Sequence, residues 1–122
     1  MRTITIDEFE FAARALASYG VDPHSIGLFK ESLVEPMADG GMGSLRFYGS
    51  NVSQSNRRMS EAIVQGEFND RDGMLVSFTI NLDNNGNLFE LDLWRVDFEP
   101  LQRLPSQSDE IRIIPTHLND VR

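Results

Sequence analysis

The sequence contains no cysteine. Disulfides and thiolate metal sites are therefore impossible, which fits a reducing compartment. Histidine is almost as scarce, with only His24 near an expected helix start and His117 in a turn-rich tail. Neither a paired-histidine metal site nor a base with an orienting partner has support, so both read as surface residues and no metal or cofactor is expected. No apolar run approaches the roughly 18 residues of a membrane span, and the opening MRTITIDEFEF lacks the basic-then-apolar order of a secretory signal. The expectation is a soluble, cytoplasmic chain. Positive charge is the last shortage: 11 Lys and Arg stand against 19 Asp and Glu, for a net charge of -8. A nucleic-acid backbone would be repelled over most of such a surface, and a basic partner attracted. Acidity also keeps soluble proteins apart, so the placement of the charges has to decide.

What is present is enough apolar sequence for one core. At 122 residues the chain fits a single domain over 1–122, with helices expected in 5–30, a sheet in 33–97 and an irregular segment in 98–122, where IRII at 111–114 is the one plausible strand or packing segment. Thr5, Ile6, Asp7 and Glu8 have the capping-box form, and Phe9, Ala12, Ala13 and Leu16 follow at helical spacing up to Gly20. Asp22 and Pro23 suit the cap and first position of a second, shorter helix carrying Ile26, with Phe29 a further candidate for its apolar face. Of the two readings open to ESLVEPM, helix end or strand, the strand is preferred, because Pro36 suits a strand end or edge. Loops are expected at ADGGMGS and at the polar GSNVSQSNRR, the latter exposed and mobile. The fold class is thus α+β: one or two N-terminal helices packed on an antiparallel β-meander of about five strands, at 33–37, 45–48, 61–69, 74–83 and 87–97.

Parity fixes the expected register. Met74, Val76, Phe78, Ile80 and Leu82 form one apolar set, and Phe89, Leu91 and Leu93 form the next. Because opposite residues share a face in an antiparallel pair, a two-residue Asn85-Gly86 turn would set Leu82 opposite Phe89, Ile80 opposite Leu91 and Phe78 opposite Leu93. The preceding strand offers Ala62, Val64, Gly66 and Phe68 inward, which requires an odd loop, and Arg71-Asp72-Gly73 supplies one with Gly73 left-handed. Glu67, Glu90, Asp92 and Trp94 then share the outer face with Gln65, Ser77, Thr79 and Asn81. Neither Asn81 nor Thr79, the partners of Glu90 and Asp92, carries a positive charge. Beyond Trp94 the alternation slips, so a bulge or the strand's end is expected there.

Enzyme chemistry is poorly supplied. Glu90 and Asp92 are spaced as glycosidase carboxylates can be, but a flat sheet face offers no concave site. DGGMGS lacks the lysine of a phosphate loop, and neither NDRDG nor DNNG carries the spaced ligands of a calcium loop.

The segments VEPMADGGMGSLRF and NLDNNGNLFELDLWRVDFEPL resemble a family of small acidic bacterial proteins of no established activity, whose members share a DGGMGSL segment and an LFELD-W-VDF segment. The likeness covers about 34–101. It implies, by company, an immunity protein of a bacterial toxin system such as contact-dependent inhibition. The expected function is accordingly not enzymatic: the chain binds and neutralises a cognate toxin domain, such as a cationic nuclease, through Glu67, Glu90, Asp92 and Trp94. Trp94 serves there as an aromatic anchor, unless it packs under the C-terminal segment. The alternative is a small enzyme or ligand-binding domain with a pocket near the Gly40–Gly43 loop.

Overall fold

A computed structural model describes residues 1–49, 54 and 56–115. Helix α1 spans Ile6–Ser18 and starts at the expected capping box, in which Thr5 and Glu8 exchange side-chain to backbone hydrogen bonds. It ends in a Schellman turn: Gly20, at φ 81°, donates to the Ala17 carbonyl, and Val21 donates to that of Leu16. The second helix shrinks to one 3-10 turn, Pro23–Ile26, capped by Asp22 as expected and stopped at once by left-handed Gly27.

Among the described residues the sheet has seven strands, two more than expected. They are β1 Arg2–Thr3, β2 Leu33–Pro36, β3 Leu45–Tyr48, β4 Met59–Asn69, β5 Leu75–Asp83, β6 Leu88–Arg95 and β7 Arg112–Ile114. The added β1 and β7 are edge strands of two and three residues; β1 is too short for alternation to announce it, whereas β7 falls on IRII, the one plausible strand of the tail. The order is β1-β2-β3-β6-β5-β4-β7 with every pair antiparallel. This departs from a simple meander, because β3 pairs with β6, setting Leu45 opposite Leu91 and Arg46 opposite Glu90.

One face of the sheet takes α1. Phe11 meets Phe78 and Phe68 edge-on at ring distances of 5.0 and 5.5 Å, and Ala12, Ala15 and Leu16 close onto the same core. Val64, Phe68, Val76, Phe78, Ile80, Leu91 and Leu93 are all buried, as parity required. The β4–β5 turn is the expected three-residue loop with Gly73 at φ 88°.

Two bulges revise the expected register. Between Ala62 and Val64 the β4 ladder slips, so Ala62 lies opposite Asn81 on the outer side and Ile63 packs on the core instead. In the β5–β6 hairpin the turn holds three residues rather than two: Asp83 donates to Asn87 O and Gly86 to Asp83 O. The cause is the Asp83 side chain, whose Oδ1 accepts the N–H groups of Asn85 and Asn87 and so favours the wider closure. A bulge absorbs the extra residue and sets Leu88, not Phe89, opposite Leu82. Phe89 is buried as expected, but not in the main cluster. Arg46 and Arg57 cover its ring at 4.3 and 4.9 Å.

Gly66 makes room for the Phe78 ring and for β7. A Cβ there would stand 2.5 Å from Phe78 Cζ and 2.7 Å from the Arg112 carbonyl oxygen. Gly66→Ala should therefore lower stability by about 1 to 3 kcal/mol in urea unfolding. The loss should shrink when Phe78→Leu is combined with it, while an unchanged cost in the double variant would place the strain at β7 alone.

Candidate functional site

Register brings the four expected site residues to one face. Glu67 pairs with Ser77, which pairs with Trp94; Thr79 pairs with Asp92, and Asn81 with Glu90. Their electrostatics differ from the expectation that no cation offsets the acids. Strand β3 flanks β6 on its other side and supplies Arg46, whose Nε lies 3.0 Å from Glu90 Oε2. Strand β7 supplies Arg112, whose Nε lies 3.1 Å from Glu67 Oε1. Each cation arrives through a long-range pairing that local parity does not reveal.

Asp92 is different. Its polar contact is the Ser44 hydroxyl at 3.2 Å, and it has no ion pair among the described residues. Partial desolvation pushes its carboxyl above the ordinary value against the lowering pull of that hydrogen bond, and the charges of Glu90 and Asp39 add to the rise. Two residues along, Trp94 is 48% exposed and Phe98 67% exposed, with ring centroids 5.9 Å apart. Trp94 is thus not packed away under the C-terminal segment.

The residue after Trp94 centres a charged knot that the sequence did not announce. Arg95 ends β6 with its side chain buried, and its guanidinium reaches Asp70, Asp72 and Asp97 at 2.8, 2.6 and 2.8 Å. Asp70 also accepts the N–H groups of Arg71, Gln102 and Arg103, tying the chain after β6 to the β4–β5 turn. Hydrogen bonding from Arg95 holds the Asp97 carboxyl at about 2, and the same carboxylates raise the Arg95 pKa further above its already high value. The slip in alternation expected after Trp94 is this turn.

Residues 1–105 match the family described as Domain of unknown function (DUF6984). The chain belongs to this family. No curated protein and no solved structure matches it. The DUF6984 match begins at the first residue, so it takes in α1 and β1 as well as the 34–101 stretch on which the sequence resemblance rested, and it stops before β7.

Within this DUF6984 chain the DGGMGSL segment has an architectural part. Asp39 accepts the N–H groups of Met42 and Ser44, and Gly41 O accepts that of Leu101. Gly41 and Gly43 are left-handed, and a Cβ on them would lie 3.3 Å from Pro100 and 3.2 Å from Leu93. The loop thereby folds against β6 and the segment after it. A cavity of about 290 Å³ lies between Asn69, Asp70 and Arg71 and the C-terminal Arg103 and Arg112, with both signs of charge on its walls. Arg57 corrects the expectation of an exposed 49–58 connection: its side chain is buried against Asp83, while residues 50–53 and 55 lie outside the described ones. His24 stacks on Phe29 at 5.1 Å, and His117 lies outside the described residues. Among the described residues no group of three or more His, Cys, Asp or Glu could hold a metal ion.

Proposed function

We propose that this DUF6984 protein is a cytoplasmic immunity protein that binds and neutralises a cationic toxin domain, such as a nuclease, through the outer face of its sheet. One observation carries the reading: exposed Trp94 and Phe98 stand beside Asp92, a carboxylate with no ion pair among the described residues, on a chain of net charge -8. A nuclease needs a basic surface to hold nucleic acid, and an acidic inhibitor that occupies that surface associates fast under electrostatic steering. Large aromatics at the centre of such a contact then hold the complex. No helix among the described residues is long and apolar enough to cross a membrane.

The test expresses the product of the neighbouring reading frame alone and together with this chain. Growth arrest relieved by the chain is the expected result; arrest that persists with the chain folded and abundant refutes the reading. In purified form, Asp92→Arg should slow association with that product at low salt, the difference shrinking as salt screens it. Trp94→Ala should raise the dissociation rate instead. Glu90→Arg is a poorer probe, because it would set a second cation against Arg46 and disturb the sheet itself.

A further inference from the structure

We infer that Asp92, Trp94 and Phe98 form a receptor for an arginine side chain of the partner protein. The inference rests on the reading of this face as a binding surface and names the chemistry it recognises.

Three observations converge on it. First, the acids around the aromatic pair have been sorted by the fold. Glu90 and Glu67 already hold Arg46 and Arg112, and Asp97 holds Arg95, whereas Asp92 has no ion pair among the described residues. Second, Asp92 and Trp94 are alternate residues on one strand face, so about 7 Å separates their backbones. A guanidinium lying on the indole ring spans that interval and can direct paired N–H groups at the carboxylate. Third, Phe98 is held open at a conformational cost. Its φ of 63° lies in the left-handed region that side chains other than glycine seldom enter, yet its ring is among the most exposed apolar groups described.

The turn that holds Phe98 there is rigidly braced. Phe98 N–H donates to the Arg95 carbonyl at 2.9 Å, Asp97 Oδ1 accepts both Arg95 Nε and the Glu99 N–H, and the Arg95 side chain is locked by Asp70 and Asp72. Burial of apolar surface does not explain the strain, since the ring stays in water beside Trp94. Preorganisation for a ligand does: a surface set before binding loses little freedom when the partner arrives. Arginine fits it better than lysine. Its planar group stacks and donates in a fork at once, whereas an ammonium is a point charge that must choose.

Trp94 is the only tryptophan of the chain, so its fluorescence reports directly on this surface. The probes are a capped arginine-glycine repeat peptide and its lysine counterpart, titrated into the full chain at low salt. The arginine peptide should change Trp94 emission saturably and bind about tenfold more tightly than the lysine peptide. Asp92→Asn should weaken the arginine peptide by about tenfold, with Asp92→Glu restoring part of the loss. Phe98→Gly removes the ring while suiting the positive φ, so it should weaken binding without loss of thermal stability. Equal affinity for the two peptides, or for wild type and Asp92→Asn, overturns the inference. Because the titration requires no toxin, it stands if the immunity reading fails. Conversely, a toxin that binds the Asp92→Asn, Phe98→Gly protein as tightly as wild type overturns the arginine receptor and leaves the immunity reading standing.

Discussion

Asp83→Ala should destabilise the fold by about 3 to 5 kcal/mol, because it strips a buried guanidinium of its counter-charge. The side chains of Arg57 and Asp83 are 3% and 0% exposed and meet at 2.8 Å. Arg57 also donates to the carbonyls of Phe47 and Leu88 at 2.8 and 3.0 Å, so it pins the start of β4 across β3 and β6 while covering the Phe89 ring. The same substitution removes the acceptor that shapes the β5–β6 turn. Urea unfolding at neutral pH measures the loss, and Arg57→Met in the Asp83→Ala background should recover part of it by removing the orphaned charge. A double variant weaker than Asp83→Ala by the full cost of Arg57→Met would show that Arg57 acts through its carbonyl contacts instead.

The pH dependence of that contribution has a definite sign. Burial alone would push the Asp83 carboxyl up, but the N–H groups of Asn87 and Asn85 and then the Arg57 guanidinium outweigh it, and the pKa falls below the ordinary value. Its stabilisation is therefore complete above the unfolded carboxylate value, about 3.9, and is lost as pH falls through the lower folded one. Asp70 and Asp97 are shifted in the same direction. Asp92 is shifted the other way, so its native charge opposes folding at neutral pH. Asp92→Asn should accordingly melt no lower than wild type, which keeps it a clean probe of binding.

Leu91→Ala should lower stability by about 2 to 5 kcal/mol, the range for a buried leucine whose site closes only partly. Leu91 is 1% exposed and lies between Ile80 of β5 and Leu45 of β3 at the centre of the sheet. A cavity there loosens both neighbours, so the cost should fall toward the upper end. Thermal and urea unfolding give the number, and a loss below 1 kcal/mol would mean that the sheet collapses around the missing atoms.

Local chemistry made several parts of this protein legible. The capping box, the Gly20 stop, the Gly73 turn and the pairs Ile80 with Leu91 and Phe78 with Leu93 all follow from spacings of a few residues. So does the common face of Glu67, Glu90, Asp92 and Trp94, because side chains alternate along a strand whatever lies beside it. The misplaced pairing of Phe89 with Leu82 has an equally local origin: an aspartate that closes a wider turn adds one residue, and one residue reverses parity until a bulge restores it.

Tertiary structure alone decided which of those acids are free. Glu90 gains Arg46 because β3 pairs with β6 rather than with β4, and Glu67 gains Arg112 from a three-residue edge strand outside the DUF6984 match. Arg57 and Arg95 look in sequence like any solvated arginines, and both become buried hubs once distant aspartates converge on them. Periodicity records which way a side chain points, since that depends on the residue's own backbone. What it meets there depends on strands brought together by burial across dozens of residues, and no local spacing carries that information.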